Sequence, residues 1–478
     1  SRNTRKLSGS YYTPVSLVQE LINSALVPVI EERLEGKVNQ QERREALLSI
    51  TVCDPACGSG HFLLGAARRL AAELAQIDAD SDQPTEQHYR HALRDVLAHC
   101  IFGVDRNPMS VELARVAMWI EGVEPGRALS FLDHHLVCGD ALIGITDFKQ
   151  LEKGIPAAAF KPLSGDDKEV CKKLARINAA ALKDIEKKNI AQEFKQLNIV
   201  DNENTSLQEL QKLEALPDNT AEEIDAKEQA YLSFLQQAKE SRLAHAADLL
   251  VGAFLISKNN STDPVPTSKT LYLELFSDSH NAEHQRELAA ARAACVQGRV
   301  LHWPLTFPQV FAKGGFDCVL GNPPWERIKL QEEEHFSSRN SDIALAKNKA
   351  ERSQRIAWLA EGMLARNLWP ERAHIPAEAE AEKNLYREFV VVRRVAEAAS
   401  VFAHVKGEDG GRFPLTGVGD VNTYALFAES ISQLIFASGR AGFIVPTGIA
   451  TDDSTKAFFG HIAQSGQLAS LYDFENRE

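Results

Sequence analysis

The sequence predicts an α/β fold built on an open parallel sheet, and three observations carry that reading. Short apolar, β-rich runs recur along the chain, each closes on or beside Asp, Asn or Pro, and helical patterns separate them. The predicted strands are Ser49–Cys53, Ile101–Asp105, His135–Cys138, Phe316–Leu320, Ala441–Val445 and Leu468–Phe474. Each functional motif falls at the carboxyl end of one of these runs, the edge at which open α/β sheets bind ligands.

The elements divide the chain into four parts. Residues 1–48 form an amino-terminal helical segment, and residues 49–165 hold the first three strands. Residues 166–300 change to long amphipathic stretches such as Glu169–Leu197 and Thr220–Leu255, rich in Ala, Leu, Lys and Glu, and read as a large helical insertion. Residues 301–478 return to the strand pattern, interrupted by a helical insert at 326–400, where Pro370 and Pro376 mark a break, and by a Gly-rich loop at Lys406–Asp420.

A length of 478 residues excludes a peptide hormone, a tail or a lone small binding module. No apolar run reaches the ~18 residues of a membrane helix, so no membrane association is expected. Seven Cys without regular spacing and no signal peptide fit a reducing, cytoplasmic setting. Lys plus Arg at 53 against Asp plus Glu at 66 gives a net charge of -13, so a chain that acts on nucleic acid must gather its positive charge locally. The acids crowd between Asp201 and Glu240 in the insertion, whereas Arg339, Lys347, Lys349, Arg352, Arg355, Arg366 and Arg372 follow the fourth strand. The start at Ser1-Arg2-Asn3 and a total of three Met suggest part of a longer protein.

The first motif is Val52-Cys53-Asp54-Pro55-Ala56-Cys57-Gly58-Ser59-Gly60-His61, a strand that breaks into a glycine turn and then a helix. Glycines let backbone pass close beneath a ligand, and the helix start offers unpaired N–H groups. The string lacks the third glycine of a dinucleotide fingerprint and the Lys of a phosphate loop, which disfavours a nucleotide with phosphates. Asp105, in Val104-Asp105-Arg106-Asn107-Pro108, can accept both hydroxyl hydrogens of a ribose, and Asp105 or Asn107 can equally cap a helix. Asp140, in Cys138-Gly139-Asp140-Ala141-Leu142, can accept from an adenine amino group, and taken alone it could equally cap a helix. Three such strand ends describe a pocket for an adenosine that carries no phosphate.

The fourth motif is Asn322-Pro323-Pro324-Trp325. Two prolines fix the backbone after the strand, so that an amide oxygen, a carbonyl and an aromatic face suit an exocyclic amino group on a ring. In this order the motifs resemble those of the gamma-class adenine-N6 DNA methyltransferases, most closely the long methylase chains of type IIG restriction-modification enzymes and of BREX and DISARM phage defence. Ser10-Tyr11-Tyr12-Thr13-Pro14, His302–Pro308, Asn422–Phe427 and Gly439–Pro446 are similar to further motifs of that group.

The resemblance implies a Rossmann-like class I S-adenosylmethionine-dependent sheet, split into a cofactor-binding half (49–165) and a catalytic half (301–478). It implies that Tyr12, Thr13 and Pro14 close over the methionine end of the cofactor, which Asp54, Ala56, Gly58 and Gly60 line. Asp105 would hold the ribose, Asp140 with Ala141 the adenine amino group, and Asn107 and Pro108 would flank the adenine ring. Asn322, Pro323, Pro324 and Trp325 would bind a target adenine flipped from double-stranded DNA. Other subunits of a defence system are implied as partners. The same tetrapeptide type also serves RNA and protein-glutamine acceptors, and a cofactor-binding scaffold that no longer methylates is the reading from another class.

The chain stops at Glu478, before the aromatic motif and target-recognition domain expected of such enzymes, so most of the DNA grip is expected beyond it. Pro376, Glu378, Glu380 and Lys383 lie in an Ala/Glu helical tract and form no convincing nuclease signature. Cys53, Cys57, Cys100, Cys138 and Cys318 fall at strands and read as core packing. His134-His135 lacks partners at zinc spacing, and no metal is assigned.

Overall fold

The computed structural model describes residues 13–126, 132–187, 207–213, 215–217, 220–259, 264–372 and 375–474. Five strands, β1 (Val52–Asp54), β2 (Ile101–Asp105), β3 (Leu136–Cys138), β4 (Phe316–Gly321) and β5 (Ile435–Phe443), form one sheet in the order β3-β2-β1-β4-β5. Every pairing is parallel. The order reverses between β1 and β4, and that switch point opens a crevice at the carboxyl edge of the sheet.

Strand residues alternate between two apolar layers, as a pleat requires. Val52, Ile101, Cys318 and Leu320 face one core with Ala66, Leu70 and Leu74 of helix His61–Ala79. Cys53, Phe102, Val104 and Val319 face the other, which is filled by helix Arg242–Leu255, helix Ser268–Phe276 and Trp303. Helices from the predicted insertion therefore supply much of the layer that covers the second face of the sheet. Arg394, on the 28-residue helix Pro376–Ala403, ties this layer down by donating to the carbonyls of Leu255 and Ile256 at 3.1 and 2.7 Å. Pro376 occupies the first turn of that helix, where its missing N–H costs nothing.

The amino-terminal segment runs as Val15–Leu21, a π turn at Ile22–Leu26 and Val27–Leu34. It packs closely over glycines: a Cβ on Gly65 would lie 2.8 Å from Ile22, and one on Gly442 would lie 3.0 Å from Ala25. Arg33 pairs with Asp317, whose other oxygen accepts from the Thr51 N–H at 2.9 Å, so the segment is fastened to the start of β1 and β4.

Two strand expectations change. β5 begins at Ile435 rather than Ala441, because its register against β4 shifts between Phe316 and Cys318 and leaves residues 436–439 as a bulge inside the strand. Leu468–Phe474 is not a strand: it has no ladder partner among the described residues, and Leu471, Tyr472 and Phe474 are exposed. Strand-like composition does not form a strand when the backbone finds no neighbour to pair with. Cys138 is exposed rather than core, because β3 is an edge strand paired only with β2 among the described residues; the other four predicted core cysteines are buried.

Trp303 shows how the second layer is locked. Its ring is fully buried, packs edge-on to Phe316 at 6.2 Å between ring centres, and donates its indole N–H to the Ala141 carbonyl at 3.1 Å. Trp303→Ala is expected to cost about 3–5 kcal/mol through the cavity and the orphaned carbonyl, measurable as a lower denaturation midpoint in urea.

Candidate active site

The glycine turn is held open by β2. Cys57 donates its N–H to the Val104 carbonyl at 2.9 Å, and Gly58 donates to Asp105 Oδ2 at 2.9 Å. Gly58 and Gly60 take φ of +53° and +84°, a region costly for residues with a Cβ, and the helix starts at the next residue, His61. Asp105 Oδ1 accepts from the Asn107 N–H at 2.7 Å. Both oxygens of Asp105 thus fasten backbone, and each keeps acceptor capacity for an incoming hydroxyl. Burial pushes the Asp105 carboxyl above its usual range, and the two backbone N–H groups oppose that shift.

Asp54 is 1% exposed at the end of β1, and its Oδ1 accepts from the Ala56 N–H at 3.0 Å. It lies against β4 so closely that a Cβ on Gly321 would come within 2.7 Å of Oδ1. Burial pushes its pKa up to about 8, against the Ala56 hydrogen bond and with a further push from the charge of Asp105. Asp54 therefore joins the glycine turn to the motif that follows β4.

Asp140 is 9% exposed, its Oδ1 accepts from the Leu142 N–H at 3.0 Å, and its Oδ2 lies 3.5 Å from Arg106 Nε. Beneath it sits the buried Arg412, which donates to the carbonyls of Ala141 and Gly144 at 2.8 and 3.3 Å and to Ser430 Oγ at 2.6 Å. Burial lowers the Arg412 pKa to about 9, while the charges of Asp140 and Glu429 resist the loss of its proton. Asn107 takes the helix-capping alternative, accepting from the Met109 N–H at 3.1 Å with Pro108 in the first turn, and both residues are exposed at the rim. Carboxylates at the neighbouring ends of β2 and β3, with the open Gly58 bound to Asp105, suit the hydroxyl and amino donors of a nucleoside. The same charges oppose a phosphate chain, so the residues fit an adenosyl cofactor without phosphates.

β4 delivers Asn322-Pro323-Pro324-Trp325 to the crevice. Asn322 donates Nδ2–H to Thr13 Oγ1 at 3.2 Å, and its amide oxygen has no hydrogen-bond partner among the described residues. The Pro324 carbonyl is taken by the Thr423 hydroxyl at 2.7 Å, whereas the Pro323 carbonyl has no partner among the described residues. Trp325 is 49% exposed, with its indole N–H donating to the Ile444 carbonyl at 3.3 Å, so the ring is pinned at one edge and open on a face. Thr13 is buried, Pro14 is exposed, and Tyr12 lies outside the described residues.

The structure thus brings Thr13, Asp54, Gly58, Asp105 and Asn322 together at the carboxyl edge, with Asp140 and Ala141 on the neighbouring strand end. Sequence reasoning missed Thr423 and Arg412. Thr423 follows Asn422 in a recognised helix motif, whereas Arg412 sits in a Gly-rich loop without a periodic signal. The basic stretch after β4 is partly neutralised: Arg352, Arg355 and Arg372 lie within 4 Å of Glu333, Glu351 and Glu378.

A doubly covered parallel sheet, a glycine turn bound to an acidic strand end and an Asn-Pro-Pro-Trp strand end define a Rossmann-like methyltransferase. Residues 99–356, more than half of the chain, match the Eco57I restriction-modification methylase family, and residues 30–130 match the MmeI DNA-methyltransferase domain. The chain belongs to the Eco57I restriction-modification methylase family. Among curated proteins it is 20% identical over 377 residues to a Methanocaldococcus jannaschii protein named as a type II restriction enzyme and methyltransferase, covering 69% of this chain and 29% of the relative. It is 36% identical over 117 residues to the adenine-specific methyltransferase PglX of Streptomyces coelicolor, covering 23% of this chain and 9% of the relative. The chain spans less than a third of the length of either relative.

Proposed function

We propose that this chain transfers the methyl group of S-adenosylmethionine to N6 of an adenine flipped out of a specific site in double-stranded DNA, marking host DNA in restriction-modification or phage defence. The observation that carries the reading is the amide of Asn322, oriented by Thr13 and set beside Asp54 at the switch point of the sheet. The names of the relatives, one adenine-specific, support the same acceptor.

When bound, the cofactor supplies an electrophilic methyl on a positively charged sulfur. Asn322 Oδ1 and the Pro323 carbonyl accept the two hydrogens of the adenine amino group, whose lone pair is otherwise delocalised into the ring. Holding both hydrogens biases the nitrogen toward a tetrahedral geometry and fixes its direction of attack, which is an orientation effect. Pro324 carries the backbone past the site through its bond to Thr423, and the open face of Trp325 stacks on the base. Asp105 holds the ribose hydroxyls and Asp140, with Ala141 beside it, the cofactor's adenine amino group. Asn107 and Pro108 line the rim, and Tyr12, Thr13 and Pro14 close over the methionine end, which Asp54, Ala56, Gly58 and Gly60 line.

In this reading residues 1–165 and 301–478 build the catalytic core, residues 166–300 back it, and the full-length protein works in the cytoplasm with other subunits of its defence system. No helix among the described residues is long and apolar enough to cross a membrane. The test is transfer of a labelled methyl group by the full-length protein, followed by identification of the modified base. N6-methyladenine in duplex DNA is expected; label confined to RNA or protein, or cofactor bound with no transfer, overturns the proposal.

A further inference from the structure

Outside the strand-end crevice, three elements of the helical layer and a connecting loop converge on one buried carboxylate. Glu274, on helix Ser268–Phe276, is 2% exposed. Its Oε2 lies 2.6 Å from Nε2 of His284 and 3.6 Å from Nε2 of His280, and its Oε1 lies 2.8 Å from Nδ1 of His245. His284 belongs to helix Ala282–Gly298, His245 to helix Arg242–Leu255, and His280 to the loop before His284. The rings of His280 and His284 stack with centres 4.1 Å apart and planes 8° from parallel, and one ligand atom from each of Glu274, His280 and His284 lies within 4.8 Å of the others.

We propose that Glu274, His280 and His284 bind one zinc ion, with His245 fixing the carboxylate from behind. Two imidazole nitrogens and a carboxylate oxygen are a zinc donor set that leaves the fourth position to water. Ligands ~2.1 Å from a tetrahedral ion are about 3.4 Å apart, and the two Oε2 distances of 2.6 and 3.6 Å bracket that separation. His280 Nε2 also lies 3.3 Å from the Leu273 carbonyl, a contact that zinc ligation would replace. His245, on the other carboxylate oxygen, is the outer partner that orients a ligand and holds its charge. His284, itself 3% exposed, leaves Nδ1 without a hydrogen-bond partner, so the surroundings hold the ring by packing alone and direct only Nε2 toward a polar group. The bound ion joins helix Ser268–Phe276, the loop and helix Ala282–Gly298 over helix Arg242–Leu255, which packs on the sheet. It strengthens the layer that covers the sheet.

The experiment strips the full chain with chelator and titrates it with Zn²⁺ by calorimetry and with Co²⁺ by visible absorption. One Zn²⁺ per chain, a Co²⁺ spectrum of low coordination number and a higher Tm with Zn²⁺ are expected. His280→Ala and His284→Ala should abolish all three, and His245→Ala should weaken binding ~10–100-fold. His280 is in a loop with a side chain 23% exposed, so His280→Ala keeps the test valid if His284→Ala fails to fold. No stoichiometric Zn²⁺ on the wild-type chain, or stoichiometric Zn²⁺ that survives His280→Ala, overturns the site and leaves the cluster as a hydrogen-bond network around Glu274.

Discussion

Asn322→Ala is expected to lower the single-turnover rate of methyl transfer by about 10²–10³-fold, the scale of losing one preorganised polar group at a reacting centre, while cofactor affinity is unchanged. The reason lies in the division of labour at the end of β4. The Pro324 carbonyl is already occupied by Thr423, so Asn322 Oδ1 and the Pro323 carbonyl are the acceptors left to hold an amino group. The alanine variant removes one of the two, and the target nitrogen keeps its delocalised lone pair. Asn322→Asp retains an acceptor oxygen and loses the donor to Thr13, so its rate should lie between wild type and alanine. Thr13→Val removes the orienting hydroxyl alone and should cost up to about 10²-fold, the penalty of a misplaced catalytic group. A transfer rate in Asn322→Ala equal to wild type, measured with saturating labelled cofactor, would sink the assignment.

What the sequence made legible was local. Strand ends at Asp54, Asp105, Cys138 and Gly321 follow from apolar runs stopped by acidic, glycine or Asn-Pro residues, and each lies within one residue of its expected place. The links that turn these ends into a site were not legible, because they join distant segments. Thr13 meets Asn322 across 309 residues, and Arg412 meets Ala141 across 271. Neither contact has a periodicity, since each depends on how the amino-terminal segment and the Gly-rich loop return to the sheet. The same limit explains β5, where a register shift keeps residues 436–439 inside a strand whose local pattern begins only at Ala441. It also explains the Glu274 cluster, whose proposed ligands are ordinary residues of two helices and a loop until the fold brings them to one point. The net charge of -13 finds a partial account in the same way: basic side chains after β4 are paired to nearby acids, so the described crevice does not present them all to DNA.

The stability of Asp54→Asn relative to wild type should rise as pH goes from about 4 to about 8. The Asp54 carboxyl is buried at the end of β1, accepts one backbone N–H, and has no Lys, Arg or His within ion-pair distance among the described residues. Its pKa stands at about 8 in the folded chain, against ~3.9 in an unfolded one. Between these values the folded state holds a proton on Asp54 that the unfolded state has released, so the Asp54 contribution to stability decreases with rising pH. The stabilising contribution is complete below pH ~4 and gone once pH passes the folded value, a loss of up to about 5 kcal/mol. Asparagine keeps the oxygen that accepts from Ala56 and cannot ionise, so the variant should match wild type at low pH and exceed it above pH ~8. A cationic ligand in the crevice favours the ionised form of Asp54. Cofactor binding near neutral pH should therefore release a proton in wild type and none in Asp54→Asn, which calorimetry in buffers of different ionisation enthalpy measures. Parallel stability profiles for the two chains, taken by thermal unfolding across this range, would show that Asp54 is ionised in the fold and would remove the basis for both expectations.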